Sequence, residues 1–229
     1  MSKNKKKLVL ISDTHGQHEQ VKIPKCDFLI CSGDVTTERE GFTQLATFFD
    51  WMKRQPATHC VFCFGNHDGV GADDMTACKK LAEDFGVTLL AESLAIIDGV
   101  SLWGSAYTVD FCSWFFMKPA SQMHEIWSLC PEKVDVLVTH GPARGILDLT
   151  YGGVHAGCVA LRNTIDRLQP VLHVFGHIHE QRGVANRYGT VCVNASINEV
   201  LARKIHKPVV AYLTRVKKAW KVTKVSVDN

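Results

Sequence analysis

Residues 8–15, which read LVLISDTH, contain the pattern that decides the fold. The first four residues of this stretch are apolar, as expected for a short buried β-strand. Asp13 and His15 follow at the point where that strand would end. In an extended segment, side chains two positions apart lie on the same side, so both can reach a shared ligand.

Four later apolar runs also end in acidic, histidine or asparagine residues. They end in Gly33-Asp34, Gly65-Asn66-His67-Asp68, His140-Gly141-Pro142 and Gly176-His177-Ile178-His179. In α/β proteins, ligands bind outside the carboxyl ends of the strands, where the connecting loops converge. We therefore expect these residues to form one polar centre at the edge of a sheet.

Seven of these residues are potential metal ligands, and they offer oxygen and imidazole nitrogen but no sulfur. They are Asp13, His15, Asp34, Asn66, His140, His177 and His179. This donor set suits Mn, Fe, Zn, Co or Ni better than a structural zinc or calcium site. Seven ligands exceed the needs of one tetrahedral ion, which indicates two ions, as in many phosphate-ester hydrolases. The alternative is that these side chains cap turns or form hydrogen bonds in the core.

The remaining pattern predicts a single α/β domain over residues 1–229, with two packed mixed β-sheets between outer helices. Apolar residues at helical spacing predict helices over residues 42–54, 73–85, 121–129 and 157–168. The pairs Asp98-Gly99 and Tyr188-Gly189 predict tight hairpin turns. The last third of the chain should therefore be mainly antiparallel.

Composition limits the class of protein. The chain has 229 residues, 46% of them apolar, and a formal net charge of +3, which argues against a nucleic-acid partner. No apolar run is long enough to span a membrane or to act as a secretory signal, and nine cysteines fit a reducing compartment, so we expect a cytoplasmic protein. Residues 1–7 are basic and predict a flexible, solvated arm.

The five polar blocks, taken in order, resemble the signature of the calcineurin-like metallophosphoesterases. The later stretches Trp103-Gly104, Gly145-Ile146-Leu147-Asp148 and Val193-Asn194-Ala195-Ser196 resemble the small metallophosphoesterase-domain phosphodiesterases of animal brain and of bacteria. The resemblance implies a four-layer α/β/β/α fold and a dinuclear centre, with Mn²⁺ favoured and Fe, Zn, Co or Ni as alternatives. Asp34 is not followed by the Arg-Gly of the protein Ser/Thr phosphatases, which argues against that activity.

The resemblance also implies a role for each residue. One ion would be bound by Asp13, His15, Asp34 and His179, and the other by Asp34, Asn66, His140 and His177. A hydroxide bridging the two ions would attack phosphorus, and Asn66 and His67 would contact the substrate. His67 would lie beside the leaving-group oxygen without binding metal.

Further residues are interpreted from their position alone. Asp68 is predicted to orient His67, its neighbour in the chain, and Arg144 to bind a substrate phosphate. The aromatic-rich segment 107–116 either stacks on a nucleobase, or packs beneath a loop or forms a self-association surface.

These features predict a metal-dependent phosphodiesterase acting on small phosphodiesters such as nucleotides. Two alternatives remain open: a nucleotide-binding or scaffold protein of low turnover that keeps the metal centre, and a small nuclease of the same superfamily.

Overall fold

The computed structural model describes residues 4–37, 41–199 and 204–227. In these residues the strands are, in chain order, β1 (Lys5–Ile11), β2 (Cys26–Cys31), β3 (Ala57–Cys63), β4 (Val87–Leu90), β5 (Ser93–Ile97), β6 (Val100–Ser105), β7 (Thr108–Val109), β8 (Met117–Lys118), β9 (Val136–Thr139), β10 (Leu172–Phe175), β11 (Gly183–Arg187), β12 (Thr190–Asn194), β13 (Asn198–Glu199), β14 (Lys204–Ile205), β15 (Val209–Val216) and β16 (Ala219–Ser226). The α-helices are α1 (Gly41–Arg54), α2 (Gly69–Asp73), α3 (Met75–Phe85), α4 (Met123–Ser128) and α5 (Val159–Leu168).

Two six-stranded mixed sheets form the centre of the described part of the chain. The first sheet has the order β16-β15-β1-β2-β3-β4, and the second has the order β11-β12-β10-β9-β6-β5. Strands β1 to β4 are parallel, as are β6, β9, β10 and β12, because helices or long connections return the chain between them. The antiparallel pairs β5-β6, β11-β12 and β15-β16 are hairpins.

Strand alternation divides the core into layers. Leu8 and Leu10 of β1 belong to the core between the two sheets, whereas Val9 and Ile11 belong to the core under α1 and α3. A third core, which contains Trp127, lies between the second sheet and helices α4 and α5. The order is therefore helix, sheet, sheet, helix, and the predicted fold class is confirmed.

Three helices begin later than predicted, two of them after a residue whose side chain caps the helix. The predicted helix 73–85 begins at Met75, because the Asp74 side chain accepts a hydrogen bond from the Ala77 amide. The predicted helix 157–168 begins at Val159, after Cys158, whose sulfur accepts from the Leu161 amide. A 3₁₀ turn over residues 120–122 precedes α4, so regular α-helix begins later than expected there.

The prediction of a flexible basic arm over residues 1–7 is wrong for Lys5, Lys6 and Lys7. These lysines are part of β1, because β15 provides an antiparallel partner as far as Lys5. The Lys6 ammonium also forms an ion pair with Asp98 at 2.6 Å. Residues 1–3 lie outside the described residues.

The two predicted hairpin turns lie where the sequence places them. Asp98 and Gly99 have φ values of 52° and 75°, and Tyr188 and Gly189 have values of 46° and 93°. Both residues of each pair are thus in the left-handed region that two-residue hairpin turns require. Among the described residues, no helix has the length and apolar character needed to cross a membrane.

Candidate metal centre

The polar residues that follow five strands meet at one edge of the two sheets. Asp13 lies two residues beyond β1, Asp34 three beyond β2, and His140 directly after β9. Backbone hydrogen bonds join these turns across the sheets, from the Gly176 amide to the His140 carbonyl (2.9 Å) and from the Ile197 amide to the Ser12 carbonyl (3.0 Å). The structure therefore brings together side chains that are far apart in the sequence.

One group of donors combines Asp13 with two histidines. A carboxylate oxygen of Asp13 and ring nitrogens of His15 and His179 all lie within 4.8 Å of one another. His179 Nε2 lies 3.3 Å from Asp13 Oδ1. These are three of the four ligands predicted for the first ion. The fourth, Asp34, belongs to two other donor groups, one of which also contains His15.

The second group contains Asp34, His140 and His177, whose donor atoms also lie within 4.8 Å of one another. His140 Nε2 lies 3.2 Å from Asp34 Oδ2 and 2.9 Å from Asn66 Oδ1. The other ring nitrogen of His140 is 2.8 Å from the Ser32 carbonyl and can donate to it. That contact leaves Nε2 as the nitrogen available to a metal.

The donor set fits divalent cations. Two buried carboxylates and five histidines form three overlapping donor groups, and the amide oxygen of Asn66 lies beside one of these histidines, His140. Burial by itself would raise the pKa of Asp34, but His140 and His15 lower it to about 2. Burial likewise would lower the pKa of His140, but Asp34 raises it to about 9. The negative charge of Asp34, which favours a proton on His140, also favours a metal cation.

Four of the seven candidate ligands have strained backbone. Asp13, His15, Asp34 and His177 have φ values of 57°, 42°, 54° and 69°, in the left-handed region that non-glycine residues rarely adopt. Each such residue costs roughly 1–3 kcal/mol, so the surrounding hydrogen bonds must maintain the geometry. The His177 amide donates to both oxygens of Asp13 at 3.1 Å, and the His67 amide donates to Asp34 Oδ1 at 2.8 Å.

Two glycines leave space for the carboxylates. A Cβ at Gly65 would lie 2.7 Å from His140 Nδ1 and would overlap Asp34 Oδ1. At Gly176, a Cβ would overlap the side chains of Asp13 and Ser12. These two motif glycines are thus explained by close approach, since neither has a positive φ.

His67 lies at the border between the ligand groups and the solvent. Its Nε2 is 3.9 Å from Asp34 Oδ2, and its side chain remains 26% exposed. Burial lowers the pKa of His67, while Asp34 acts in the opposite direction. His67 also belongs to a donor group with His15 and Asp34, so distance alone does not separate it from the metal ligands.

The predicted role of Asp68 is corrected by its contacts. Asp68 is fully buried, and its carboxylate accepts hydrogen bonds from the backbone amides of Gly65, Asp34, Val35 and Thr36 at 2.8 to 3.0 Å. The Thr36 hydroxyl adds a fifth bond, at 2.9 Å. Asp68 therefore joins two ligand-bearing turns, and the rings of Trp114 and His15 contact the His67 imidazole.

The Arg144 side chain contacts its own loop. It is exposed, and Nη1 donates to the His155 carbonyl at 2.7 Å. Asp148 accepts from His155 Nδ1 at 2.7 Å and from two backbone amides in the same loop. Arg144 thus helps to close its own loop, and its predicted contact with a substrate phosphate stays a prediction.

A cleft of about 530 Å³ opens onto the donor groups. Its lining is Asp34, Asn66, His67, Phe111, Trp114, Thr150, Tyr151, Val154, Ala156, His177, Ile178, His179 and Glu180. This lining contains no lysine or arginine, and most of its surface away from the ligands is apolar or aromatic. A larger cleft of about 690 Å³ near Val21 and Pro208 contains none of the donor groups found in the described residues, so the smaller cleft is the candidate active site.

The aromatic-rich segment 107–116 is divided between the cleft and the core. Phe111 and Trp114 line the cleft, whereas Phe116 packs beneath, stacked on Phe64 with ring centres 5.6 Å apart. The lining also includes Tyr151 and Val154, which the sequence did not predict. They occur in an irregular loop, and nothing in their spacing marks them as part of a site.

The family model for calcineurin-like phosphoesterases matches residues 6–181, which include every candidate ligand. The chain belongs to the calcineurin-like phosphoesterase family. It is 36% identical to UPF0046 protein K07C11.7 of Caenorhabditis elegans, over 91% of this chain and 76% of that protein. It is 33% identical to human metallophosphoesterase domain-containing protein 1, over 89% of this chain and 70% of that protein.

A solved structure of the same fold is that of TT1561 from Thermus thermophilus. It aligns with a TM-score of 0.63 at 11% identity and covers 97% of this chain and 98% of that one. Because calcineurin-like phosphoesterases use divalent metal ions, this family member is a metal-dependent phosphoester hydrolase with candidate ligands in the groups described above.

Proposed function

We propose that the protein is a phosphodiesterase for small phosphodiesters with an aromatic or nucleoside substituent. The observation that carries this proposal is the composition of the cleft: metal-ligand groups on one side, aromatic and apolar residues on the others, and no lysine or arginine in its lining. Glu180 adds a negative charge there. Such a cleft favours a substrate with a single phosphate charge, because its described lining offers no lysine or arginine to a second phosphate.

The seven candidate ligands would hold two divalent ions. Asp13, His15, Asp34 and His179 would bind one ion, and Asp34, Asn66, His140 and His177 the other, with Asp34 common to both. When bound, the ions lower the pKa of coordinated water and neutralise charge on the phosphoryl oxygens. We propose Mn²⁺ as the native ion, with Fe, Zn, Co and Ni as the alternatives that this donor set accepts.

The protein residues position the ester and complete the proton transfer. Hydrolysis forms one P–O bond to the oxygen of water and breaks the P–O bond to the leaving alcohol, whose oxygen takes up a proton. His67 borders the cleft and the ligand groups, so it is the side chain best placed to contact that oxygen and to give it a proton. Asn66 faces the same cleft and would contact the phosphate from the side of His140.

Exposed aromatic residues support a planar substituent. Phe111 and Tyr151 line the cleft and remain 60% and 63% exposed, although large side chains are usually covered in a protein without a ligand. A nucleobase or an aryl ring would cover such surfaces, and stacking of this kind is worth roughly 1–3 kcal/mol per base. Small nucleotide diesters are therefore the substrates that we propose.

We also infer a reducing compartment such as the cytoplasm. Eight of the nine cysteines are buried, which supports their use as small apolar core residues. Burial raises the pKa of the Cys26 and Cys192 thiols to about 12, so these thiols are unreactive.

The test uses the full chain after removal of metals with a chelator. The protein is reloaded with Mn²⁺ or another divalent ion, and hydrolysis of bis-p-nitrophenyl phosphate is followed. The panel then includes 2',3'-cyclic and 3',5'-cyclic nucleotides, nucleoside monophosphates, nucleoside triphosphates and oligonucleotides. We expect metal-dependent turnover of diesters that exceeds that of monoesters and triphosphates, because these carry more phosphate charge into a cleft whose described lining contains no lysine or arginine.

Three variants complete this test. Asp34→Asn should be strongly impaired with every ester, and His67→Ala with nucleoside diesters, whose leaving oxygen needs a proton. Asp84→Asn, which changes an exposed residue of α3, should match wild type. Nucleotide binding without turnover under every metal would instead identify a binding or scaffold protein. Faster cleavage of oligonucleotides than of small diesters would identify a nuclease.

A further inference from the structure

Asp68, which follows His67 in the chain, does not fix the orientation of the His67 ring. The Asp68 carboxylate is occupied by four backbone amides and the Thr36 hydroxyl. The His67 backbone is tied to Asp34, but that bond does not fix rotation of the side chain. A half-exposed imidazole at the rim of a cleft needs a further contact to keep one rotamer.

Trp114 supplies that contact. The ring centres of His67 and Trp114 are 3.8 Å apart, the shortest separation between aromatic rings among the described residues, with planes inclined at 57°. The His15 ring lies on another side, edge-on, with ring centres 4.9 Å apart. The imidazole is thus held between a candidate metal ligand and an indole.

The loop that carries Trp114 is attached to the turn that carries His67. The Phe115 amide donates to the Asn66 carbonyl at 3.2 Å, and Phe116 stacks on Phe64, which precedes that turn. The Phe115 ring occupies space that a side chain at Gly69 would fill. At its base the loop is closed by the pairing of β7 with β8. The indole is therefore placed by contacts on both sides of Trp114.

We propose that Trp114 is a positioning residue that fixes the His67 imidazole at the leaving-group side of the candidate metal centre. This inference rests on the proposed function, in which His67 contacts the leaving oxygen. Trp114 also lines the cleft, so the competing role is direct stacking on the substrate. The two roles differ in what they change: positioning affects the bond-breaking step, whereas stacking affects binding of the aromatic substituent.

The leaving group separates these roles. An alkoxide or nucleoside oxygen leaves with a proton and depends on a placed donor, whereas p-nitrophenolate leaves without one. In Trp114→Ala we expect kcat for a methyl or nucleoside diester to fall by roughly 10- to 100-fold. For bis-p-nitrophenyl phosphate, kcat should change by no more than about threefold.

The variants form a double-mutant cycle. Trp114→Ala, His67→Ala and the double variant are compared, with Trp114→Phe as the conservative change and Trp114→Leu to keep apolar bulk without an aromatic face. Tyr188→Ala, which removes an exposed aromatic ring from the β11-β12 turn, is the matched control. The double variant should be as slow as His67→Ala, because Trp114 acts through His67. Trp114→Phe should recover most of the lost rate.

A second measurement does not depend on turnover. In spectra of histidine-labelled protein without added metal, the His67 ring protons should be shifted upfield by the indole. The shift should vanish in Trp114→Ala and Trp114→Leu, persist in Tyr188→Ala, and be partly kept in Trp114→Phe. Circular dichroism confirms that each variant is folded.

Several results would overturn the proposal. Additive losses in the cycle would show that Trp114 does not act through His67. A rise in KM confined to aromatic substrates, with unchanged kcat, would assign Trp114 to stacking. An absent upfield shift in the wild type would contradict the contact itself. If the wild type hydrolyses no ester under any metal but shows the shift, the proposed function fails while the position of the ring stands.

Discussion

The two halves of the candidate active site are built differently. The floor, defined as the ligand-bearing turns 12–15, 32–36, 64–68, 139–141 and 176–179, is mostly buried and cross-linked by side-chain to backbone hydrogen bonds. The walls, defined as loops 107–118 and 149–156, expose Phe111, Tyr151 and Val154 by 60%, 63% and 62%. The floor maintains strained backbone at four ligands, whereas the walls present apolar surface to solvent. From this contrast we expect the floor to contribute to chemistry and stability together, and the exposed wall residues Phe111, Tyr151 and Val154 to affect substrate choice almost independently of stability.

The largest expected effect tests the floor through Asp68. Asp68→Ala removes the acceptor for four buried amides and a buried hydroxyl, so we expect a loss of unfolding free energy above about 3 kcal/mol. Chemical denaturation of the metal-free protein measures this loss of unfolding free energy. Asp84→Ala is the control, because its ion pair with Lys80 is exposed and should contribute less than about 1 kcal/mol. Equal stability of the two variants would show that the floor is no more constrained than the surface.

Substitution of Gly65 in the floor and of Gly152 in a wall provides a second comparison of the two halves. Gly65→Ala places a methyl group 2.6 Å from the Asp34 amide, so we expect it to cost about 1–3 kcal/mol and to weaken metal binding. At Gly152, in a wall, the nearest atom to an added Cβ is the Thr150 hydroxyl at 3.8 Å and φ is not positive. Gly152→Ala should therefore stay within about 0.5 kcal/mol of wild type. Calorimetric titration with Mn²⁺ and denaturation of both variants provide the measurements.

The walls should affect binding more than folding. Tyr151→Ala removes an exposed ring from the cleft, so KM for a nucleoside or aryl diester should rise by roughly 5- to 100-fold, as expected for the loss of one stacking contact. For dimethyl phosphate, which has no aromatic substituent, kcat and KM should stay close to those of wild type. The midpoint of thermal unfolding should also stay the same, since few contacts are lost. A large drop in stability would contradict the separation of wall from floor.

Much of the floor is readable from sequence because its donors lie directly at strand ends. Asp13 and His140, for example, follow apolar runs that are strands β1 and β9 in the structure. The positive φ of Asp13 could not be predicted, because the usual signal for that conformation is glycine and this position carries a carboxylate. The partners of Asp68 were also beyond prediction, since three of its four amide donors come from a turn more than 30 positions earlier.

The walls leave almost no signal in the sequence. Tyr151 and Val154 lie in an irregular loop without hydrophobic periodicity, so their position depends on tertiary contacts. The aromatic segment was visible as a cluster, but its division into residues that line the cleft and residues that pack beneath it was not. That division depends on Phe64 and Gly69, which belong to a different turn.

The smallest expected effect concerns the contact that joins a wall to the floor. Glu180, next to His179, accepts a hydrogen bond from the Tyr151 amide at 2.6 Å across 29 positions of sequence. Glu180→Ala removes this bond, which is worth roughly 0.5–1.5 kcal/mol, so KM for a nucleoside diester should rise by about 2- to 10-fold. Glu180→Gln keeps an acceptor oxygen but loses the charge, and it should therefore retain a KM near or below that of wild type. If both variants instead lower KM to the same extent, repulsion between Glu180 and the phosphate outweighs the loop contact, and the wall is held in place by other interactions.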